Sequence, residues 1–487
     1  MNKQVDNISR NGIRSIFQNS AFLMGGRWIN MLVRMFYIVI LARLLGAELY
    51  GIYNYGISIY MPFFVLTSIG IGQLLSNLVA SDKTSGHDIV SQTFTLRLIA
   101  GILSAISMTT IGWLTEEIFQ TKVLFLFFSI ALIGRTLAIW VQEVFTAYEI
   151  NQHSFHLQLI FRPIECLLAL IVLVKGGSIL ALALVHAISW WLQALSGLKL
   201  VRKNIPKFYF SHKLKHISYL LPKCLIIGLT GMLINWMNQG AITFTRYMEG
   251  MGNSLGQFAL AMQGVLLLSS IIISFNDAAL PVLTQSVHRQ DGKDIIYVET
   301  QMRLAIFLGA ISGLTGMFFG TWLVNLLFGP KYLEAGQLLG FTMWLLIPFL
   351  WGNALNALYL ARSHYQEALL CAFLGILSFL TSLLCFAAHL GNMGVILSSA
   401  AGMIVWSVSL IIMMTHPKNI DLKFAVLQPS IIVIISLSVY FIFYNYLAFL
   451  LSMIVIISGV YLFGLSTSEK DTIKMLYSFY YSKKEKR

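Results

Sequence analysis

Runs of roughly 20 mostly apolar residues recur from Ser15 to Ser466 with only short breaks, and they leave this chain few ways to fold. A run of that length crosses the hydrocarbon layer of a bilayer as a single helix. Away from water, only a helix or a closed barrel satisfies every backbone N–H and C=O. Val123–Ala131, Cys166–Val174, Ile376–Ala388 and Leu447–Tyr461 show the pattern at its plainest. Composition agrees: 11% of the residues are charged and 57% hydrophobic, where soluble proteins carry about 25% charge. So little polar surface would not cover a water-facing core. Arg10 and Arg14 precede the first apolar stretch as in a signal peptide. That stretch contains Arg27 and Arg34, is too long, and lacks a small-residue cleavage site, so it is read as a true first span. The four cysteines, Cys166, Cys224, Cys371 and Cys385, sit in apolar segments. None forms a CxxC pair or has a His at metal spacing, so all are read as core residues and no metal site is expected.

The expected fold class is all-α, a polytopic membrane protein of about 14 transmembrane helices. The spans fall near 15–41, 53–80, 91–114, 122–146, 154–174, 178–200, 218–244, 256–284, 302–328, 335–361, 365–388, 393–415, 425–444 and 446–466. Lys and Arg accumulate in cytoplasmic segments, which sets orientation. With the N-terminus inside, the basic block Lys199–Lys215 and the basic tail Lys470–Arg487 both lie inside. The outer segments hold only Arg43, Lys122, Lys175, Arg246 and Lys331. Both termini are therefore expected in the cytoplasm. The net charge of +13 is read as topology and contact with anionic lipid heads, with no nucleic acid as partner.

The block Lys199–Lys215 divides the first twelve spans into two sixes, and the sixes resemble one another. Gly86-His87-Asp88-Ile89 is matched by Gly292-Lys293-Asp294-Ile295, and Thr95-Leu96-Arg97-Leu98 by Gln301-Met302-Arg303-Leu304 at the same offset. Arg43…Gly51 parallels Arg246…Gly256, and Tyr148…His153 parallels Tyr359…His364. Several matches in one order indicate a duplicated six-helix unit. Such repeats in secondary transporters place the substrate site between them. The organisation expected is residues 1–200 as the first six-helix lobe, 201–216 as a basic linker, 217–416 as the second lobe, 425–466 as an extra helix pair and 467–487 as a basic tail.

A charge at the bilayer centre costs about 2.5–3.5 kcal/mol or more, so one that is retained faces a cavity or a partner. Arg27, Asn30 and Arg34 share one helical face. Two arginines on one stripe repel unless an anion lies by them, and a guanidinium grips phosphate with a planar fork. The alternative is pairing with acids on neighbouring spans. Asn235, Asn238, Gln239 and Arg246 share a face of the seventh span. Their amides suit sugar hydroxyls or interhelical bonds, and Arg246 stands near enough to the outer end to snorkel. Arg135 suits the cavity, whereas Arg162 and Glu165 are spaced to neutralise each other. Asp277, Glu143 and Glu165 are the acids available to carry a proton or sodium ion, or to pair with a cavity arginine. Arg97 and Arg303 lie near helix ends and read as anchors. His186 reads as a hydrogen-bonded core residue, and Glu116-Glu117 as a solvated outer loop.

Four motifs add a resemblance. They are Leu41-Ala42-Arg43-Leu44-Leu45-Gly46-Ala47-Glu48-Leu49-Tyr50-Gly51-Ile52-Tyr53, Ser254-Leu255-Gly256-Gln257-Phe258, Phe328-Gly329-Pro330-Lys331-Tyr332-Leu333-Glu334-Ala335-Gly336 and Gly391-Asn392-Met393-Gly394. In their order and spacing the chain resembles the polysaccharide and oligosaccharidyl-lipid flippases of the MOP superfamily, the Wzx-type O-antigen flippases. The resemblance covers essentially the whole chain. It implies two six-helix lobes in a V, the MATE-like fold, around a cationic cavity. It also implies alternating access that carries undecaprenyl-diphosphate-linked oligosaccharide repeat units of O-antigen, capsule or exopolysaccharide to the outer leaflet of the bacterial inner membrane. Partners implied are the lipid-linked oligosaccharide, membrane lipids, and a polysaccharide polymerase with its chain-length machinery. No cofactor is implied beyond H+ or Na+ coupling. In related lipid II flippases an extra helix pair makes a groove for the lipid tail, and residues 425–466 are placed to do likewise.

Three other readings compete. A lipid II flippase differs only in cargo. A multidrug exporter of the same superfamily calls for acidic cavity groups, while the cavity candidates here lean basic. A membrane polysaccharide polymerase or glycosyltransferase calls for acids in a sizeable outer loop, and the outer loops are short. The chain is therefore read as a transporter and not an enzyme.

Overall fold

A computed structural model describes residues 2–68, 70–72, 75, 79, 86–205, 209, 218, 221–290, 292–414, 421, 423–443 and 446–459. Within those helices the side chains of 2–21, 23, 24, 27, 86, 271, 274–282, 423, 424, 439–443 and 448 lie outside the described set. Among the described residues every regular element is helical. The helices are α1 (Asn2–Ser68), α2 (Gly86–Thr115), α3 (Phe119–Ala147), α4 (Asn151–Val174), α5 (Ile179–Asn204), α6 (Leu221–Glu249), α7 (Asn253–Arg289), α8 (Lys293–Phe328), α9 (Leu333–Thr342), α10 (Leu346–Ala361), α11 (Tyr365–Ile412), α12 (Gln428–Phe443) and α13 (Tyr446–Gly459). Nine helical segments of the described chain are long and apolar enough to cross a bilayer, and shorter apolar helices follow at Ala425–Ser438 and Phe449–Gly459. The chain is an all-α, multi-pass membrane protein.

Two pairs of predicted spans arrive as single helices. The span 15–41 and the part of the span 53–80 up to Ser68 belong to α1, whose 67 residues would reach about 100 Å if straight, against a hydrocarbon core of about 30 Å. The chain turns at Gly46, where φ 73° and ψ 171° suit only a residue without a Cβ. In the same way α11 absorbs the spans 365–388 and 393–415 and turns at Gly391, with φ 52°. The predicted span 335–361 departs in the other direction. It is broken into α9 and α10 by a tight 3-10 turn at Met343–Leu345.

The chain falls into two units, Met1–Ala259 and Leu260–Arg487, with α7 beginning in the first and ending in the second. In the first, α3 packs against α2, α4 and α5, while α1 packs against α4 and α6. Trp140, Val141, Val144 and Phe145 of α3 meet Val90 of α2 and Val201 of α5 in one buried cluster. Lipid is as apolar as this interior, so close packing and interhelical hydrogen bonds hold such helices together. Trp140 Nε1 donates to Thr93 Oγ1 at 3.2 Å, and the hydroxyls of Thr67 and Thr136 lie 2.9 Å apart. Two glycines that hold matched positions in the sequence motifs also meet within this unit. A Cβ on Gly51 would stand 2.6 Å from Gly256 N, and one on Gly256 would collide with the Ala47 carbonyl.

In the second unit α8 and α9 approach through glycines, with a Cβ on Gly316 standing 3.0 Å from Gly340 Cα. The hairpin α12–α13 lies on α8: Val433, Phe449 and Ile456 cluster with Phe307 and Leu314. Phe318 and Phe449 stack at 4.8 Å. Arg362 Nη2 donates to Asp294 Oδ2 at 2.8 Å, tying the end of α10 to the start of α8.

The cysteine reading is corrected in part. Cys224 and Cys371 are buried, Cys166 is half-buried and Cys385 is exposed. In a bilayer the outside of a helix is as apolar as its inside, so an apolar segment does not imply a core position.

Candidate functional site

Arg135, projecting from the middle of α3, is the organising residue. Its guanidinium carbon lies 3.9 Å from the ring centre of Phe64, 5.2 Å from Trp190 and 5.5 Å from Tyr60. Its Nη1 points to Met61 Sδ at 3.0 Å. Tyr60 and Phe64 stand one turn apart on α1, and Trp190 is on α5, so two elements build one aromatic seat for a cation carried by a third. No carboxylate lies within ion-pair distance of Arg135 among the described residues. Aromatic faces stabilise a cation by about 0.5–2 kcal/mol each without cancelling its charge. Arg34 of α1 is close enough for its charge to interact with that of Arg135.

Beside this seat lies a neutralised cluster. Arg162 stacks over Trp190 at 3.7 Å, and its Nη1 donates to Glu165 Oε2 at 2.5 Å. Its Nη2 donates to Gln193 Oε1 at 2.7 Å and to Ser189 Oγ at 3.2 Å. Glu165 Oε1 is 2.5 Å from His186 Nδ1. Trp190 Nε1, which has only a proton to offer, donates to His186 Nε2 at 3.2 Å. Nε2 is therefore an acceptor and the ring proton sits on Nδ1, facing the carboxylate. Trp190 carries both arginines and is itself held by His186.

The other sequence candidates, apart from Asp277, belong to the first unit. The side chains of Arg27 and Asp277 lie outside the described residues. Asn30 Nδ2 donates to Gln158 Oε1 at 2.6 Å, and Gln158 Nε2 donates onward to Gln142 Oε1 at 3.1 Å, an amide chain linking α1, α4 and α3. Asn238 and Gln239 are buried, on a helix that packs against α1. Among the described residues, the side-chain oxygens of Asn235 and Asn238 and the indole N–H of Trp236 are buried without a hydrogen-bond partner. Buried carboxamide oxygens left open in this way mark a polar face with bonding capacity to spare.

Two expectations are corrected. Arg97 is not an anchor at a helix end: it is wholly buried, donates to Thr67 O at 2.7 Å and forms an ion pair with Glu143. Burial removes water, and the carboxylate of α3 supplies the compensating charge. Glu116 is not solvated: it is buried, accepting from Tyr55 Oη at 2.5 Å and from Arg246 Nη2 at 3.3 Å. Arg246 accordingly does not snorkel, and Tyr247 closes the group at 3.3 Å from the Tyr55 hydroxyl. Sequence reasoning missed Tyr60, Phe64 and Trp190. Their signal was present in the i, i+4 pairs Tyr60–Phe64 and His186–Trp190, each placing two rings on one helical face. Outside the spans, Tyr209 donates to Asp88 at 2.8 Å, and that carboxylate holds the phenol above its usual pKa.

Among the described residues the first unit thus offers one seated cation without an acid, a second guanidinium near it, and buried amides. Comparison with known proteins is consistent. Residues 16–287, more than half of the chain, match the family model described as polysaccharide biosynthesis protein. The chain is 23% identical over 381 residues to the capsular polysaccharide biosynthesis protein CapF of Staphylococcus aureus, covering 72% of this chain and 86% of that one. Among solved structures it is similar to the lipid II flippase MurJ in an inward closed conformation, with TM-score 0.64, 16% identity, 94% of this chain and all of the other covered. It is similar also to an inward-facing multidrug resistance MATE transporter of the MOP superfamily, with TM-score 0.59, 14% identity, and 78% and 92% covered. At such identities the likeness establishes the fold, and the family match establishes the lineage. The chain belongs to the polysaccharide biosynthesis protein family and carries the MOP-superfamily fold.

Proposed function

We propose that this protein is a flippase that moves an oligosaccharide linked to a polyprenyl diphosphate from the cytoplasmic to the outer leaflet by alternating access, with Arg135 and Arg34 holding the diphosphate. One observation carries the reading. Arg97, Arg162, Arg246 and Arg362 each face a carboxylate, whereas Arg135 faces rings and a thioether. A cation kept in the membrane without an acid is matched to an anion that comes and goes. Arg27, on the face of α1 shared by Asn30 and Arg34, is assigned to the same anion. Asn30, Asn235, Asn238 and Gln239 are assigned to the sugars, whose hydroxyls suit amide groups. The acids lean against a cationic-drug exporter, since Glu143 and Glu165 already have basic partners. Of the three acids available for ion coupling, Glu165 in contact with His186 is the best placed to pass a proton. The proposal includes fourteen spans, two six-helix lobes with an added C-terminal pair, and both termini in the cytoplasm.

The test replaces Arg135 with Ala and with Lys in the full chain. Inorganic diphosphate binding is measured on purified protein, and surface polysaccharide is measured in cells at matched protein level. A lost charge-assisted hydrogen bond, about 1.5–3 kcal/mol, lowers affinity roughly 10- to 100-fold in the Ala variant. Lys restores part of it, since charge survives and the fork does not. Full surface display by Arg135→Ala would overturn the assignment.

A further inference from the structure

His186 of α5 has a partner on each of its ring nitrogens, and the two partners differ in kind. Nδ1 lies 2.5 Å from Glu165 Oε1. Nε2 accepts at 3.2 Å from the indole of Trp190, a neutral donor. Glu165 is met by charge on its other side as well, where Oε2 accepts from Arg162. Among the described residues, Nε2 is thus the basic lone pair of this cluster that faces no charge. Histidine is the side chain that ordinarily changes charge between about pH 5 and 8. A proton reaching Nε2 from water makes the ring an imidazolium, paired with Glu165 through Nδ1. It also sets N–H against N–H, because Trp190 Nε1 has only a proton to offer. That hydrogen bond is lost, and the indole must turn.

The consequence falls on the arginines. The Trp190 ring lies 3.7 Å from the Arg162 guanidinium, 5.2 Å from that of Arg135 and 6.1 Å from the His186 ring. The other neighbours of His186 do not answer a proton in this range. Arg135 of α3 and Arg162 of α4 stay charged. Tyr60 of α1 and Phe128 of α3 meet the imidazole as rings, with centres at 5.8 and 5.9 Å. Tyr37, Tyr53 and Tyr60 of α1 and Cys166 of α4 lie within electrostatic reach of Glu165, and phenols and thiols are ordinarily neutral below about pH 8. We infer that His186 is a proton-operated positioning residue for the cation seat: a proton on Nε2 turns Trp190 away from both arginines and favours an anion at Arg135. This inference rests on the flippase reading above. Charge fixes its sign. The proton adds a positive charge one indole away from Arg135. Two unit charges about 10 Å apart, at an effective dielectric constant of about 20, change a binding constant about tenfold. Linkage is reciprocal, so anion and proton enter together and leave together. A diphosphate diester carries two negative charges and the proton offsets one, so a membrane potential negative inside still favours the outward step.

The test uses the full chain in lipid nanodiscs, with 5-fluorotryptophan in place of its ten tryptophans. The Trp190 fluorine resonance is assigned by its absence in Trp190→Phe. The expected result is a Trp190 resonance that moves between about pH 8 and pH 5 in the parent and stays in place in His186→Gln. A carboxamide has an acceptor for Trp190 and a donor for Glu165, and it does not titrate. Anion binding is measured with dimethyl diphosphate bearing one methyl ester on each phosphorus, whose two negative charges persist over that range. Its affinity is expected to rise about tenfold on going from pH 8 to pH 5 in the parent, and to stay level in His186→Gln. A Trp190 resonance that does not move in the parent overturns the inference. So does one that still moves in His186→Gln, since the proton then sits elsewhere. Binding separates the two levels. Dimethyl diphosphate held equally well at both pH values sinks the proton switch and spares the anion site. No binding at either pH sinks the flippase reading and the switch with it.

Discussion

Arg97, Arg162 and Arg246 each meet a carboxylate, so removing one member of a pair is worse than removing both. Arg97→Ala would leave Glu143 facing a buried vacancy, at a cost of about 3–5 kcal/mol. The double variant Arg97→Ala/Glu143→Ala would recover much of that, and thermal unfolding in detergent of the two singles and the double measures the difference. A single variant as stable as the parent would show that the pair contributes nothing. The same reasoning makes His186 readable at atomic detail. Its Nε2 accepts from Trp190 and its Nδ1 faces Glu165, so nitrogen NMR of labelled protein is expected to find the ring proton on Nδ1. A proton on Nε2 would contradict the arrangement that holds Trp190 beneath both arginines. The isolated charge of Arg135 was legible in the sequence as a cation in an apolar run. Its seat was not picked out, because the i, i+4 pairs Tyr60–Phe64 and His186–Trp190 lie in segments where nearly every residue is apolar, so that two rings on one face stand out little from their surroundings. Glu116 was illegible for the opposite reason. Its local sequence reads as a polar loop, and only Tyr55 and Arg246, remote along the chain, make it an interior residue.

At the scale of helices, hydropathy located the membrane-crossing material well and its joints poorly. A hydropathy window sums side chains and carries no information on torsion, so the turns within α1 and α11 appear as gaps between spans when the helix is in fact continuous up to one glycine on either side. The 3-10 turn at Met343–Leu345 is likewise invisible, since Met, Trp and Leu are as apolar as the helices they interrupt. Gly46 tests the torsional account. Its φ and ψ lie in a region nearly closed to other residues, and nothing stands near its would-be Cβ. Gly46→Ala is therefore expected to cost about 1–3 kcal/mol through strain alone. A fall in melting temperature without loss of expression is the expected outcome, and an unchanged melting temperature would contradict it.

For the whole molecule, the orientation inferred from Lys and Arg makes a simple forecast. A reporter enzyme that works only outside the cytoplasm should stay silent when fused after Arg487 and become active when placed between α2 and α3 at residues 116–118. The reverse pattern would invert every assignment of leaflet made above. Gly51 and Gly256, which hold matched positions in two motifs of the sequence, come together in the fold. A Cβ on either would strike main-chain atoms of the other motif: Gly256 N and Leu255 C for Gly51, and Ala47 C and O for Gly256. When side chain strikes side chain, a second substitution can trim the obstacle. Backbone cannot be trimmed by any codon. A search for suppressors of Gly256→Ala should accordingly return no single change at the facing positions 47 and 51, and the two segments, at liberty to vary almost everywhere else, are bound to a shared history at this point.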